Sequence, residues 1–352
     1  MKHYGIKKFI GILLACLLLT SCALTVTEES TVSSRDDSSV YSDFSEESSE
    51  ESSEEIQVSL PEDISLEILP EESSEASEES EEIAPSLTVH PLLTEVSAKQ
   101  AFIYDSLLDI TFAKGDMEQR IYPASITKLY TAYVALQYLT PDTVITAGGE
   151  LSFVGAGSTV AYISRGDRLT AEMLVQGMLL PSGNDAAYVL AAGAGRAILE
   201  NPDASPREAV DAFMEAVNLR VEADGLTGTH FSVPDGYHRE DHYTTMGDLL
   251  KIALLVLEEP VIAKYAGMLS AKVMYESGET NRWTNTNSLL DPSSPYYRQN
   301  AVGLKTGHTS QAGHCLLAAE HRGDRVVITG VFGCASGSKR FEDTVTLFES
   351  LT

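Results

Sequence analysis

The sequence predicts a mixed α/β (α+β) domain in which strands lie towards both ends and helices lie between them. Short runs of branched and aromatic residues occur at 101–112 and again at 301–331. Between these runs, apolar residues recur at helical spacing, and an amphipathic stretch at 340–350 follows them. The order of the strands within a sheet does not follow from these patterns.

The first 22 residues are predicted to form an export signal. Three lysines at positions 2, 7 and 8 precede an apolar run that ends in Thr20, Ser21 and Cys22. The run is too short to span a bilayer comfortably, and a basic start with a small-residue end is typical of a signal peptide. The ending Leu19-Thr20-Ser21-Cys22 resembles the lipobox of bacterial lipoproteins, which implies diacylation of Cys22. An ordinary signal peptide and an uncleaved anchor are the alternatives.

Residues 23–90 are predicted to form a disordered, acidic linker. They contain 21 acidic side chains and one basic one, Arg35, and so carry most of the formal net charge of −28. Such a segment cannot bury enough apolar surface to offset its ordering entropy, and its charges extend it. We interpret it as a tether rather than an acidic binding segment. The acidic balance of the chain also argues against nucleic acid as a partner.

An opening hairpin is predicted at the start of the folded domain. Runs at 101–104 and 110–112 are rich in branched and aromatic residues, and five residues bounded by Asp105 and Asp109 separate them. This is the pattern of two antiparallel strands joined by a short loop.

The next segment brings a serine and a lysine to one face of a helix. Apolar residues recur at helical spacing from 129 to 139, so Ser125 lies at a helix start, near the positive end of the helix dipole. Lys128 follows three residues later, at the neighbouring position on the same face. Local geometry therefore holds a candidate nucleophile beside a candidate base.

The middle of the chain predicts a helical subdomain. Pro181 stops one helix, and Ser182 and Asn184 fall in the connection to the next, where side chains can project into a cleft. Ser205 and Glu208 form a capping box for a third helix. The predicted helices span residues 170–179, 185–198, 206–224 and 245–257.

The last part of the chain returns to strand patterns. Runs at 301–305, 314–319 and 325–331 are predicted as strands, and 340–350 as a closing helix. The region between residue 257 and the first of these strands is predicted as loop and turn.

Three short motifs occur in one order along these elements: Ser-Ile-Thr-Lys at 125–128, Ser-Gly-Asn at 182–184 and Lys-Thr-Gly at 305–307. Each is weak alone, but their order and their placement on a helix start, a loop and a strand end are specific. Longer stretches of the same pattern occur at 179–187, 234–236, 242–245 and 303–309. From about residue 95 onwards, the chain resembles the serine D-alanyl-D-alanine carboxypeptidases, which are low-molecular-weight penicillin-binding proteins of peptidase family S11.

The resemblance implies a five-stranded antiparallel sheet flanked by helices, beside an all-helical subdomain, for residues 91–352. It implies that Ser125 is the nucleophile, that Lys128 takes its proton and that Ser182 relays a proton to the leaving amine. A lysine can act as a base near neutral pH when its pKa is lowered. Lys305 close to Lys128 is expected to lower the pKa of both.

The resemblance assigns the other motif residues to substrate binding. Backbone N–H groups of Ser125 and His308 would form the oxyanion hole, and the Asn184 amide would hold the substrate peptide. Thr306 would donate a hydrogen bond to the terminal carboxylate of the substrate, and Arg340 would supply the positive charge opposite that carboxylate. The candidate substrate-binding residues are Asn184, Lys305, Thr306, Gly307, His308 and Arg340.

Two other patterns have simpler interpretations. His238 and His242 have a spacing that could serve a metal if a helix brought both imidazoles to one face. The Pro-Asp-Gly turn just upstream favours a loop, so we interpret them as solvated loop residues and predict no metal and no cofactor. A second Ser-x-x-Lys match, Ser336 to Lys339, is interpreted as surface sequence without a helix start.

Cys315 and Cys334 are predicted to be buried free thiols. They lie on two strands of a predicted hairpin centred on residues 322–324. The expected register separates them by about four positions, at ~3.4 Å per residue, which is too far for a disulfide.

The predicted export signal and its lipobox-like ending imply a protein anchored by lipid at the extracytoplasmic face of a bacterial membrane, and the resemblance to the carboxypeptidases implies that this protein is an enzyme. Such an enzyme removes the terminal D-alanine from peptidoglycan stem peptides ending in D-Ala-D-Ala, through a Ser125 acyl-enzyme, and is inhibited by β-lactam antibiotics such as penicillin. A class A β-lactamase is the nearest alternative. Gly183 in the second motif and the lack of a Glu-x-x-x-Asn segment before Lys305 count against it. A non-catalytic penicillin- or peptidoglycan-sensing module is the alternative from another class.

Overall fold

The structure is a computed structural model, and it describes residues 88–351. The predicted export signal, with Cys22, and the predicted linker up to residue 87 lie outside the described residues. Within residues 88–351, no helix is both long enough and apolar enough to cross a membrane.

The described residues form ten strands and seven α-helices. The strands are β1 (Val89–Pro91), β2 (Gln100–Asp105), β3 (Ile110–Lys114), β4 (Val144–Thr146), β5 (Arg168–Thr170), β6 (Ser270–Met274), β7 (Thr280–Thr284), β8 (Ala301–Thr309), β9 (Gly313–Arg322) and β10 (Arg325–Cys334). The helices are α1 (Thr127–Ala135), α2 (Ala171–Leu179), α3 (Asn184–Ile198), α4 (Pro206–Ala223), α5 (Met246–Glu258), α6 (Pro260–Ala266) and α7 (Gly337–Ser350). Short 3-10 helices cover Ala124–Ile126, Gly149–Phe153 and Ser288–Leu290.

A six-stranded sheet of order β1-β3-β2-β10-β9-β8 runs through the domain. The last five strands pair antiparallel, which confirms the predicted five-stranded sheet and its opening hairpin. The three-residue strand β1 adds a parallel edge beside β3 and begins two residues before the predicted boundary at residue 91. Its three residues are all exposed, so no apolar alternation marks it in the sequence.

The two faces of the sheet pack against different helices. Alternate residues of β2 divide between them, with Phe102 and Tyr104 in the larger core and Ala101 and Ile103 in the smaller one. The larger core continues into α1 to α6, whereas the smaller one lies beneath α7. The sheet is therefore covered on both sides, as the predicted fold requires.

The predicted helices of the middle block are confirmed. Side chains of Thr170, Ser205 and Thr245 cap α2, α4 and α5, and Ser205 with Glu208 forms the predicted capping box. Helix α1 contacts α2 to α6 and is almost wholly buried. It carries Lys128 into the centre of the domain.

The prediction of loop and turn for the region after α5 is wrong in part. This region contains helix α6 and an antiparallel hairpin of β6 and β7. Trp283 of β7 is buried and donates from Nε1 to the carbonyl of Ala161 at 2.9 Å. Val273 and Trp283 are buried and the other strand residues of the hairpin are exposed or half-buried, so periodicity gives a weak strand signal.

The cysteine register is also closer than predicted, although both thiols are free and buried. The β9–β10 turn pairs Arg322 with Arg325, and a bulge brings Cys334 opposite His314. Cys315 belongs to the larger core and Cys334 to the core beneath α7. The two side chains therefore lie on opposite faces of the sheet. Their opposite directions, rather than an offset along the strands, keep the two thiols apart.

The interpretation of Ser336 as lying away from a helix start is wrong. Its side chain accepts from the Lys339 backbone N–H at 3.2 Å and caps α7. Lys339 pairs on the surface with Glu342, not with Ser336. The Ser-x-x-Lys pattern thus occurs at two helix starts, those of α1 and α7, and the environment of the lysine differs between the two.

Candidate active site

Ser125 and Lys128 meet at the start of α1. Ser125 lies in the 3-10 turn that leads into the helix, and Lys128 Nζ lies 2.9 Å from its Oγ. Lys128 Nζ also donates to Asn184 Oδ1 and to the carbonyl of Asp235, both at 2.7 Å. The Lys128 side chain is fully buried and has three hydrogen-bond partners.

The second motif forms the turn between α2 and α3. Ser182 has a left-handed backbone with a φ of +65°, and Asn184 begins α3. A Cβ on Gly183 would lie 2.7 Å from Ala161 Cβ, so the turn requires glycine between the two polar residues. Asn184 Nδ2 donates to Ser158 Oγ at 2.8 Å, which leaves Asn184 Oδ1 for Lys128.

The third motif lies on β8, an edge strand of the sheet. Lys305 is 1% exposed, and its Nζ donates to the carbonyl of Thr306 at 3.1 Å. The Thr306 hydroxyl shares a 2.6 Å hydrogen bond with Thr286 Oγ1. A Cβ on Gly307 would lie 3.1 Å from Ala124 Cβ, so glycine lets β8 pack closely against the turn that carries the nucleophile.

A cavity of about 600 Å³ connects the three motifs. Its lining includes Ser125, Ser182, Asn184, Thr306, His308 and Arg340. Arg340 Nη1 donates to the carbonyl of Gly307 at 3.3 Å, and the imidazole of His308 stacks on His314 with ring centroids 4.0 Å apart. All the predicted catalytic and substrate-binding residues of the folded domain except the two lysines line this cleft. Lys128 is buried beneath it and reaches Ser125 Oγ, whereas Lys305 is buried on β8 and its Nζ contacts only the Thr306 carbonyl.

Burial prepares Lys128 to act as a base. It lowers the pKa of Lys128 to about 8, against the opposing charges of Asp235 and Asp185. In the neutral amine, the two N–H bonds can serve Asn184 Oδ1 and the Asp235 carbonyl, which leaves the lone pair for the Ser125 O–H. The fixed acceptors therefore direct the basic lone pair at the nucleophile.

The pKa of Lys305 is also lowered, chiefly by burial and then by the charges of Lys128 and Arg340. At Lys305 the charge of Lys128 contributes to the lower pKa, as expected. At Lys128 the lowering comes from burial, and the charge of Lys305 does not contribute to it, so the expected cause is wrong there. Burial depends on the tertiary structure, and the sequence motifs do not reveal it.

The interpretation of His242 as a solvated loop residue is wrong. His242 is 1% exposed, and its two ring nitrogens contact the Ser232 N–H and Thr127 Oγ1. His238 lies apart from it, edge-on to Tyr122 at the rim of the cavity. Among residues 88–351, no group of three or more His, Cys, Asp or Glu side chains could hold a metal ion.

Sequence reasoning missed three partners of the motif residues. Ser158 orients Asn184, Thr286 binds Thr306, and the Asp235 carbonyl accepts from Lys128. Asp235 lies in the 234–236 stretch of the family pattern, so its position near the site could have been inferred. Ser158 and Thr286 lie in irregular segments without any such signal.

The sequence and structure resemble known proteins of one kind. The Peptidase S11 profile, described as D-alanyl-D-alanine carboxypeptidase, matches residues 86–336. The chain is 30% identical over 273 residues to D-alanyl-D-alanine carboxypeptidase DacD of Escherichia coli, covering 74% of this chain and 64% of that protein. It is 32% identical over 232 residues to the D-alanyl-D-alanine carboxypeptidase of a Streptomyces strain, K15, covering 63% of this chain and 76% of that protein.

Solved structures give the same result. The crystal structure of the Streptomyces K15 DD-transpeptidase matches with a TM-score of 0.64 and 27% identity, covering 72% of this chain and 97% of that one. Penicillin-binding protein D2 of Listeria monocytogenes, in its ampicillin-bound form, matches with a TM-score of 0.59 and 25% identity, covering 74% and 98%. The chain spans less than two thirds of the length of several relatives, such as 59% of Bacillus subtilis DacF. On the family match and the fold together, the chain belongs to the Peptidase S11 family of D-alanyl-D-alanine carboxypeptidases.

Proposed function

We propose that this chain is a serine-type D-Ala-D-Ala carboxypeptidase that trims peptidoglycan stem peptides through a Ser125 acyl-enzyme. The observation that carries the proposal is the 2.9 Å contact between Lys128 Nζ and Ser125 Oγ in a site that lowers the pKa of the lysine. A serine hydroxyl attacks an amide poorly until a base takes its proton. Membership of the S11 family supplies the substrate class.

Acylation begins when Ser125 Oγ attacks the carbonyl carbon of the penultimate D-alanine and its proton passes to neutral Lys128. The negative charge moves to the carbonyl oxygen, for which the backbone N–H groups of Ser125 and His308 are the proposed donors. The C–N bond then breaks. The leaving D-alanine amine takes a proton through Ser182, which lines the same cavity.

The terminal carboxylate of the substrate is proposed to bind at the β8 end of the cleft. Thr306 offers a hydroxyl there, and Arg340, which lines the same cavity, supplies positive charge. Asn184 is proposed to hold the peptide group of the substrate. Water then attacks the ester carbonyl, which frees Ser125 and releases the shortened stem peptide.

The same nucleophile is proposed to open β-lactam rings, because the strained amide of a penicillin occupies the place of the scissile bond. Attack by Ser125 Oγ breaks the ring C–N bond and leaves a covalent penicilloyl ester. The ampicillin-bound form of the Listeria relative supports this proposal.

We also propose that the enzyme is exported and held at the outer face of the bacterial membrane by lipid on Cys22. The basic start, the short apolar run and the Leu19–Cys22 ending support it. The acidic segment 23–90 would then serve as the tether that extends the catalytic domain towards the cell wall.

The test of catalysis uses the purified chain with a fluorescent penicillin and, separately, with a peptide ending in D-Ala-D-Ala. We expect covalent labelling and D-alanine release, both lost in Ser125→Ala and reduced about 10²–10⁴-fold in Lys128→Met, which removes the general base. Lys339→Met is the matched control, because its serine and lysine have the same spacing at another helix start. This control should keep wild-type activity.

The other outcomes identify the alternatives. Labelling without D-alanine release indicates a penicillin-sensing module, and fast hydrolysis of the penicillin indicates a β-lactamase. Absence of labelling at Ser125 would contradict all three serine mechanisms.

The test of anchoring compares the full chain with Cys22→Ser in a bacterial host supplied with labelled palmitate. We expect lipid label and membrane recovery for the wild type, and loss of both for the variant. Equal membrane recovery of the two proteins would indicate an uncleaved anchor instead.

A further inference from the structure

A chain of hydrogen bonds joins the buried His242 to the residue before the nucleophile. The Ser232 backbone N–H lies 3.1 Å from His242 Nδ1, and His242 Nε2 lies 2.8 Å from Thr127 Oγ1. Thr127 Oγ1 in turn donates to the carbonyl of Ala124 at 2.9 Å, and the backbone N–H of Thr127 donates to the same carbonyl.

The Ser232 N–H determines which atom donates and which accepts in each of these hydrogen bonds. A backbone N–H can only donate, so His242 Nδ1 must accept and the ring proton must sit on Nε2. Nε2–H then donates to Thr127 Oγ1, which leaves the hydroxyl proton for the Ala124 carbonyl. Burial keeps the ring neutral, since it lowers the pKa of His242 to about 3.

The Ala124 carbonyl, which accepts the last of these hydrogen bonds, belongs to a residue with an unusual backbone conformation. Ala124 has a φ of +49°, in the left-handed region that disfavours a residue with a Cβ. Its peptide bond to Ser125 also packs tightly against two glycines. A Cβ on Gly236 would lie 1.9 Å from the Ala124 oxygen, and a Cβ on Gly307 would lie 3.3 Å from the Ser125 nitrogen.

A trans peptide is planar, and its C=O and N–H point in opposite directions. The Ala124–Ser125 bond is trans, so whatever fixes the Ala124 oxygen also fixes the direction of the Ser125 N–H. That N–H is a proposed donor to the oxyanion. The hydrogen bond from this N–H to the oxyanion forms only as negative charge develops. A small error in the direction of the N–H weakens that hydrogen bond.

We infer that His242 and Thr127 are positioning residues, which act through the Ala124 carbonyl to aim the Ser125 N–H at the developing oxyanion. The inference rests on the proposed acyl-transfer function. Neither side chain contacts the substrate, since both are 1% exposed behind the nucleophile turn and neither lines the cavity.

The kinetic test uses Thr127→Val, which keeps the branched shape and removes the hydroxyl, beside Thr127→Ser, which keeps it. We expect Thr127→Val to slow acylation by a fluorescent penicillin about tenfold, less than the loss of a whole oxyanion donor. Non-covalent affinity for the same penicillin should stay unchanged, and Thr127→Ser should retain most of the rate. The inference is overturned if both variants acylate at the wild-type rate, or if they lose affinity and rate equally.

A matched control separates positioning from stability. Thr229→Val removes another buried hydroxyl, one that hydrogen-bonds Asp248 and Thr244, makes no hydrogen bond to His242 or Ala124 and does not line the cavity. It should lower the melting temperature without slowing acylation by the folded protein. If Thr229→Val slows acylation as much as Thr127→Val, the positioning role is overturned.

A second readout does not depend on activity. Nitrogen-15 NMR of the wild-type chain at neutral pH should show His242 protonated at Nε2 and unprotonated at Nδ1, with its Nε2 resonance shifted in Thr127→Val. The opposite tautomer would overturn the inference even if penicillin labels Ser125. If His242 has the expected tautomer but penicillin does not label Ser125, the result contradicts the proposed function instead.

Discussion

Lys128 Nζ lies 2.7 Å from Asn184 Oδ1, although the two residues come from different motifs and from helices α1 and α3. Asn184 Nδ2 donates to Ser158 Oγ, which fixes the amide so that its oxygen faces the lysine. Asn184 therefore positions the proposed base in addition to its proposed role in holding the substrate peptide.

The rate of acylation should rise with pH and reach a plateau above about pH 8. The neutral form of Lys128 is the base, and burial lowers the pKa of this lysine to about 8. Below that pH the neutral fraction falls tenfold for each unit. The second-order rate of penicillin acylation reports the pKa of the free enzyme and checks this prediction. A rate that is flat from pH 6 to 9 would contradict it.

Asn184→Asp should move the same pH profile upwards by about one unit or more, because a carboxylate within 4–6 Å favours the charged ammonium of Lys128. At pH 7 the acylation rate should therefore fall by about tenfold or more and recover as the pH rises. Recovery at high pH distinguishes this change from a misfolded site. A lower rate with the wild-type pH profile would show that charge is not the cause.

Gly236→Ala should abolish acylation and destabilise the fold. The new Cβ would lie 1.9 Å from the Ala124 oxygen, and the φ of +77° at this position costs about 1–2 kcal/mol for a residue with a Cβ. Gly225→Ala is the control, since its φ is +65°, nothing lies within 4 Å of its Cβ and it does not line the cavity. Penicillin labelling and thermal unfolding of both variants check the prediction. Equal labelling of the two would refute the close contact.

Arg340→Gln should weaken recognition of the substrate's terminal carboxylate. A hydrogen bond to a charged group contributes about 1.5–3 kcal/mol, so kcat/KM for a peptide acid should fall by roughly ten- to a hundredfold. The same peptide with a C-terminal amide should be nearly unaffected. Comparing the two peptides with the wild type and with the variant isolates the effect of the substrate's carboxylate charge on kcat/KM. Equal losses on both would assign Arg340 a structural role.

Asp343→Ala should lower the free energy of unfolding by about 3 kcal/mol, because it leaves buried donors without acceptors. The Asp343 carboxylate accepts from the backbone N–H groups of Ser97 and Ala98 and from the Ser97 hydroxyl, at 2.7 to 2.9 Å. It thereby joins α7 to the segment before β2. Denaturant unfolding measures the change, and Asp324→Ala in the exposed β9–β10 turn should leave stability nearly unchanged.

The strands and helices with strong periodicity could be predicted from the sequence. Helix α4 is defined by the Ser205 capping box, and β9 and β10 by long apolar runs. The β6–β7 hairpin could not, because Trp283 joins it to the domain through a hydrogen bond to Ala161, which is distant in the chain. The order of the sheet, with β10 beside β2, likewise depends on contacts between the two ends of the domain.

For the site, the residue types and one local relationship follow from the sequence alone. The three-residue spacing on a helix start places Lys128 beside Ser125, since side chains three positions apart share a helix face. The same spacing at Ser336 and Lys339 produces a cap and a surface ion pair. Spacing alone therefore does not make a lysine a base.

Which of these lysines can act as a base, and where its lone pair points, depends on the folded domain. Burial in the domain lowers the pKa of Lys128, whereas Lys339 is exposed and its pKa is raised by Glu342. Acceptors from α3 and from the turn at Asp235 then take two N–H bonds of Lys128. Desolvation and hydrogen-bond direction both depend on neighbours that are far apart in sequence, and the fold brings these neighbours together.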